Sequence, residues 1–320
     1  MKKRLFLLLS IAGFMAMSSI ASAQERSCNR ACLADLLDKY LNAVIAHDPA
    51  KAPLVVGFRQ TENSIATPLG GGLWRTTTAL GEVQRRFYDP INGSAAYWGL
   101  IKEGAGAAVV SVRVRIENRE ISEAEWLIGR PSHDGMTGEP GKVLIGIDYL
   151  IANPPPPMRV VPPKDRVSRQ ALMAIVNSYF DGITNHSPNL AIAHPGCIRL
   201  ENGAKASGNP LPPNRPNDGG LNGIGDCRSG TGSFDVALVA ARRYHVVDEE
   251  AQVVVASAVF IRTPGVAKRR NHFMDILYID GGKLRSLYAA MFYVPPTQPV
   301  PNWPPYDSNF PLAADFGPTK

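Results

Sequence analysis

No segment after the first two dozen residues is apolar enough to cross a bilayer as a helix, so the body of the chain is not read as membrane-spanning. No G-x-S-x-G, H-E-x-x-H or P-loop occurs, so the nucleophile elbow, the paired-histidine zinc site and the phosphate cradle have no sequence signature. Gly104-Ala105-Gly106 is too short for a dinucleotide fingerprint, and Gly70-Gly71-Gly72 reads as a flexible turn. No C-x-x-C is present, which argues against structural zinc. The chain has 34 Lys and Arg against 28 Asp and Glu, and the basic residues are scattered. The one tight cluster, Lys268-Arg269-Arg270, reads as a solvated loop rather than a nucleic-acid patch. The expectation is a protein without metal, cofactor or nucleic-acid partner.

What is present begins with Lys2-Lys3-Arg4, the apolar run Leu5 to Ala16, and Ala21-Ser22-Ala23. A basic stretch, a short apolar run and a small-x-small site have the form of a cleavable signal peptide over residues 1–23. The mature chain is therefore expected in the periplasm or secreted, with no membrane contact after cleavage. About 300 residues remain, which suggests two domains. The 45% apolar fraction can supply each with a core. The four cysteines, Cys28, Cys32, Cys197 and Cys227, are an even count for an oxidising compartment. Three pairings are possible. Cys28–Cys32 with Cys197–Cys227 is favoured because each pair is local, and the second closes the Pro/Gly/Asn-rich stretch 203–226. Closing such a loop stabilises by roughly 3 kcal/mol in the chain-entropy model.

The chain repeats itself. Tyr40–Asn63 aligned with Tyr179–Asn202 gives seven identities in 24 ungapped positions: Tyr40/Tyr179, His47/His186, Pro49/Pro188, Ala52/Ala191, Gly57/Gly196, Glu62/Glu201 and Asn63/Asn202. Each copy opens with helical periodicity: Leu33, Leu36, Leu37, Tyr40, Leu41, Val44 in the first, and Leu172, Ile175, Val176, Tyr179, Phe180, Ile183 in the second. Ser168 suits the N-cap of the second helix. Each copy ends in a hairpin, turning at Asn118-Arg119 and at Gly281-Gly282. Ile116 and Ile279 align there, and the larger offset places an insertion in a loop of copy two. The expected organisation is a domain over 28–150, a stiff proline-rich linker over 151–164, a domain over 165–294, and a Pro/aromatic tail over 295–320. The tail holds Trp303, Tyr306 and Phe310 and is expected to fold back on the domains.

The residues Cys32-Leu33, His47-Asp48-Pro49, Thr61-Glu62-Asn63, Gly72-Leu73-Trp74, Arg113–Glu117 with Ile121–Glu125, and Arg199 to Gly203 carry a resemblance. The chain resembles a poorly characterised secreted family with two SnoaL-like halves, of the NTF2-like superfamily, and the likeness spans nearly all of the mature chain. It implies an α+β fold of two tandem cone-shaped domains, each a helix on a curved antiparallel sheet around a deep pocket. That superfamily includes cofactor-free cyclases, isomerases, dehydratases and lyases as well as binding and scaffold proteins, so the fold does not fix the function.

Chemistry must come from polar groups on strands. Along Arg270–Tyr278, period two puts His272, Met274, Ile276 and Tyr278 on one face and Phe273, Asp275 and Leu277 on the other. An Asp between apolar neighbours is costly unless paired. In a desolvated pocket it gains a raised pKa and can serve as a general base, with His272 or Tyr278 as acid or orienter. The competing reading pairs Asp275 with an arginine such as Arg243. The repeated Glu62-Asn63 and Glu201-Asn202 read as structural, with Arg59 and Arg199 as ion partners. Arg199 and Glu201 remain candidates for substrate binding, and so do Trp74, Tyr97 and Trp98, which also suit core packing. His47 and His186 are expected to cap helix C-termini as cations. The reading reached is an exported, cofactor-independent lyase, isomerase or dehydratase on a small apolar or aromatic molecule. Copy two is the better candidate for the working half. The alternative is a periplasmic small-molecule-binding or structural protein. Expected partners are a small-molecule ligand and a second copy of the chain in a homodimer.

Overall fold

The computed structural model describes residues 28–207 and 225–303. The expected signal peptide, most of the loop insertion, Tyr306 and Phe310 lie outside the described residues.

The first half opens with α1 (Arg30–Ile45), whose apolar stripe Leu33, Leu36, Leu37, Tyr40, Leu41 and Val44 is buried as the periodicity requires. The strands β1 (Leu54–Glu62) and β2 (Ile65–Ala66) come next, then one helical turn, α2 (Leu73–Thr76). The strands β3 (Thr77–Asp89), β4 (Ser94–Glu103), β5 (Gly106–Glu117) and β6 (Glu120–Gly129) complete the half. The short helix α3 (Ile147–Ala152) precedes the second half, which starts at α4 (Arg169–Thr184). It continues through β7 (Ala193–Glu201), β8 (Ala204–Lys205), β9 (Val236–Asp248), β10 (Val253–Arg262), β11 (Arg270–Asp280) and β12 (Lys283–Val294).

Each half is a six-stranded sheet in the same order, β2-β1-β6-β5-β4-β3 and β8-β7-β12-β11-β10-β9. The sheets are mixed rather than purely antiparallel, because β1 runs parallel to β6 and β7 parallel to β12. Both hairpins form at the expected turns: Asn118-Arg119 and Gly281-Gly282 all have positive φ, as a two-residue turn that follows the strand twist demands.

The repeat identities are backbone requirements. His47 and His186 follow their helices with φ 55° and 51°. The Asp48 amide donates to the Ala43 carbonyl and the Ser187 amide to the Gly182 carbonyl, so each helix ends in a Schellman motif with His in the left-handed position. Both histidines stand at their helix C-termini, as expected, and there they serve as left-handed turn residues. Gly57 and Gly196, at φ 88° and 74°, sit where β1 and β7 slip register against their neighbours. Asn63 and Asn202, at φ 48° and 45°, clamp the closing strand with the side-chain amide. Asn63 exchanges two hydrogen bonds with the backbone of Ile128, and Asn202 does the same with Met291.

One face of each sheet packs on its own helix, while the opposite faces pack on each other. Val83, Phe87, Trp98, Leu100 and Leu127 of the first half meet Val246, Val255, Met274, Ile276, Tyr278 and Tyr288 of the second in one apolar layer. A reciprocal clasp frames it. Arg30, the first residue of α1, forks onto Asp248 at 2.7 and 2.9 Å, and Arg169, the first residue of α4, forks onto Asp89 at 2.9 and 2.6 Å. Each aspartate also accepts from the other half's backbone, Asp248 from Tyr88 and Asp89 from Val247. A cation at a helix N-terminus opposes the helix dipole, and the buried aspartate across the joint offsets that. The pair Arg30–Asp248 is repeated by its mates as Arg169–Asp89, which is the geometry of a twofold dimer interface built inside one chain.

The linker is pinned rather than free. It begins helically, Arg85 donates to the carbonyls of Pro155 and Pro156, and the Val161 amide donates to Glu250. The tail folds back as expected as far as Trp303. Its indole Nε1 donates to Thr61 Oγ1 at 2.8 Å, and the ring lies between the Arg59 and Arg113 guanidinium groups at 3.9 and 4.4 Å. Both cysteine pairs are disulfides, Cys28–Cys32 and Cys197–Cys227. No described helix is long and apolar enough to cross a membrane.

Candidate functional site

Strand register sets the two halves in correspondence. In the first, Val112 faces Trp126 across β5–β6, and Trp126 faces Glu62 across β6–β1. In the second, Asp275 faces Ala289 across β11–β12, and Ala289 faces Glu201 across β12–β7. Asp275 thus stands where the first half has Val112, Ala289 where it has Trp126, and Arg199 where it has Gln60.

The first interior is a closed aromatic network. Trp126 Nε1 donates to the Tyr40 hydroxyl at 2.9 Å, Tyr40 donates to Gln60 Oε1 at 3.2 Å, and Trp74 Nε1 donates to the same oxygen at 2.8 Å. The Leu73 amide donates to Glu62, whose carboxyl burial pushes up. Gly72 beside it has φ 56°, which favours glycine, and an added Cβ would crowd the Glu62 carboxylate. Every polar tip in this network has a partner.

The second interior keeps Tyr179 but replaces the network with charge. Arg199 is buried, and its guanidinium donates to the carbonyls of Cys227 (3.0 Å), Ala206 (3.1 Å) and Ser229 (3.0 Å) and to the Tyr179 hydroxyl (3.4 Å). Its Nε lies 3.3 Å from Glu201 without an aligned hydrogen bond. Asp275 is 3% exposed, and its Oδ1 has no partner among the described residues. Burial pushes its carboxyl well above the usual range, the like charge of Glu201 adds to that, and Arg199 offsets part of it. It therefore holds its proton where an ordinary Asp has lost it. Phe273 and Leu277 flank it on the same strand face, and Phe180 and Phe260 pack on Phe273 at 5.8 and 4.8 Å.

The remaining sequence candidates are dispersed. His272 and Tyr278 lie on the opposite face of β11 from Asp275, at the joint between the halves. His272 Nδ1 is 2.8 Å from the Ser64 hydroxyl, and Tyr278 donates to the Pro156 carbonyl. The three do not form one constellation, because alternation along a strand separates residues 272 and 278 from 275. Trp74 and Tyr97 are packed in the first core, and Trp98 meets Tyr288 edge to face at the joint. None of these three reaches Asp275. Arg243 does not pair with Asp275: it forks onto Glu125 of the first half at 2.8 and 2.5 Å, and Arg113 adds a third bond to that carboxylate. The two cations hold Glu125 well below the usual carboxylate range against the effect of burial. Sequence reasoning missed this inter-half ion cluster. Arg59 bonds the Asn302 carbonyl instead of Glu62, whereas Arg199 and Glu201 do meet. Lys268, Arg269 and Arg270 are tied to Asp235, Asp134 and the tail carbonyls of Pro296 and Gln298 rather than solvated.

Cys197, Cys227 and Asp226 lie close enough to suggest a ligand set, but the sulfurs are joined to each other and Arg228 holds the carboxylate at 2.5 Å. A surface cleft along the linker is lined by Arg30, Arg86, Tyr88 and Arg159, and a second by Arg159, Asp165 and Asp280. Neither is lined by Asp275. The arginines of the first cleft are engaged by Asp248, Asp38 and backbone carbonyls, so it presents little free charge.

Residues 165–291, the second repeat, match the model of a family described as a domain of unknown function, DUF8021. No curated protein matches the chain.

Proposed function

We propose that the chain is an exported, cofactor-independent acid–base enzyme whose halves are two NTF2-like cones, with the second as the working half and a small apolar or aromatic molecule as substrate. The observation that carries the reading is a buried carboxyl with an unpartnered oxygen, Asp275, where the first half has an apolar side chain. A neutral carboxyl in an apolar site donates a proton to a carbonyl or leaving group, then takes one back. Arg199 stands by to stabilise the carboxylate formed in between. Lyase, isomerase and dehydratase reactions all need this proton traffic. Ala289 stands where the first half has the far larger Trp126. The two cysteine bridges suit a compartment outside the cytoplasm.

A second reading, binding without chemistry, is favoured by the separation of both surface clefts from Asp275. One experiment divides the two. Phenylacetone and related small aromatic ketones are incubated with the oxidised full chain in D2O, and exchange of their α-hydrogens is followed by NMR. The enzyme reading expects exchange that falls at least 100-fold in Asp275→Asn. Exchange unchanged by that substitution contradicts it, and binding without exchange supports the second reading.

A further inference from the structure

The Cys197–Cys227 bridge lies beside the site rather than at its margin. Cys197 precedes Arg199 by two residues on β7, so both side chains stand on the same sheet face, toward α4. Cys227 brings the chain after the insertion back against β7, and its amide donates to the Cys197 carbonyl at 2.8 Å. Three of the acceptors that hold the Arg199 guanidinium are backbone carbonyls: Ala206, which the β7–β8 turn holds through its amide bond to the Arg199 carbonyl, and Cys227 and Ser229, at the far end of the bridged loop. Ser207 Oγ accepts from the Arg199 amide at 2.7 Å, and Phe234 lies 5.2 Å from the guanidinium carbon. A backbone carbonyl can orient a guanidinium only while the backbone itself is fixed. With the cysteines 30 positions apart in sequence, the covalent link is what brings the far end of the loop to β7. The first half has neither feature at these positions: Phe58 stands where the second has Cys197, and Gln60 where it has Arg199. The cysteine, the arginine, Asp275 and the small Ala289 all occur in one half and in none of the matching positions of the other.

We propose that Cys197–Cys227 is a positioning bridge for the site in the second half: oxidised, it fixes the loop carbonyls that hold Arg199 beside Asp275, and reduced, it releases them. The proposal rests on the reading of Asp275 as the acid–base residue. Reduction is an exchange with a dithiol, which gives two electrons and two protons to the bridge, leaves two cysteine thiols, and closes into its own cyclic disulfide.

The test follows the Asp275 carboxyl carbon by NMR across pH in the full chain. It compares the oxidised protein, Arg199→Gln, Cys197→Ser with Cys227→Ser, and the oxidised protein after treatment with a dithiol. Removing a nearby cation raises a carboxyl pKa, so Arg199→Gln moves the Asp275 midpoint upward. The bridge-free and reduced proteins are expected to move it the same way, by at least a tenfold change in proton affinity. Cys28→Ser with Cys32→Ser is expected to leave it in place. If the serine pair prevents folding, the reduced protein supplies the measurement. A midpoint unmoved by reduction while Arg199→Gln shifts it overturns the proposal. So does a fall toward the ordinary range near 3.8, which assigns the bridge to excluding water rather than to holding Arg199. An Asp275 that titrates in the ordinary range in the oxidised wild-type protein sinks the acid–base reading itself, and the bridge proposal with it.

Discussion

The two halves share a shell and differ inside it. Helix, turn, hairpin, bulge and amide clamp recur at matching positions, down to the left-handed His47/His186 and Asn63/Asn202. The clasp of Arg30 on Asp248 and Arg169 on Asp89 is equally reciprocal. Inside, Trp126, Val112 and Gln60 of the first half correspond to Ala289, Asp275 and Arg199 of the second. The first interior spends its side chains on filling space with every hydrogen bond made. The second accepts a buried charge and an orphaned oxygen, which cost free energy unless something uses them. Duplication kept what the backbone demands and let the interiors diverge.

The largest expected effect lies where the symmetry fails at the joint. Glu125 has no counterpart carboxylate in the second half, since Tyr288 holds that place. Glu125→Gln leaves Arg243 and Arg113 buried without it and should cost about 3–5 kcal/mol in urea unfolding. A loss below about 1 kcal/mol would mean that the cluster does not join the halves.

The next effect is a pH dependence. His272 is held neutral, its pKa pushed down from 6.5 to about 4 chiefly by burial, with Arg243 reinforcing and Glu125 opposing. A depressed folded pKa gives stability that is present above pH 6.5 and is lost as the pH falls to about 4. The loss is about 3 kcal/mol over that window, measured as the wild-type minus His272→Gln difference in unfolding free energy. Val109 holds the matching place in the first half, so the repeat has no counterpart to His272 there. Burial also pushes His245 and His133 down, and their contribution to the pH dependence cancels in that difference.

The clasp sharpens the comparison further. Asp89→Asn and Asp248→Asn should each cost about 2 kcal/mol and agree to within about 1 kcal/mol, because each removes one charged acceptor from the same geometry. A large inequality would break the reciprocity. Smallest, Gly57→Ala and Gly196→Ala should each cost about 1–2 kcal/mol from the left-handed backbone alone, since neither added Cβ meets an atom within 4 Å.

The repeat, both leading helices, both hairpins and the disulfide pairing were legible in the sequence because each is local and periodic. The joint was not. Along β11, every residue from Asn271 to Ile279 is buried, so alternation marks two faces without saying that one of them meets another sheet. His272 and Tyr278 were drawn into the candidate site for that reason. A signal for the joint did exist in Arg30 and Arg169, cations in the first turn of their helices with no acidic residue in the same turn. Asp275 was legible as a carboxylate between apolar neighbours, but the role of Arg199 was not. Its partners are backbone carbonyls brought in by the fold, which leave no side-chain pattern to read.

The central claim is that the second interior is the one that takes a small molecule, and the direct measurement is native mass spectrometry on the Trp126/Ala289 exchange. The oxidised full chain, Trp126→Ala and Ala289→Trp are each titrated with phenylacetone as a small aromatic probe. The account predicts one bound probe per wild-type chain, lost in Ala289→Trp while its fold is kept, and a second bound probe in Trp126→Ala. Binding that survives Ala289→Trp and disappears in Trp126→Ala would contradict it, since the first half would then be the one that binds.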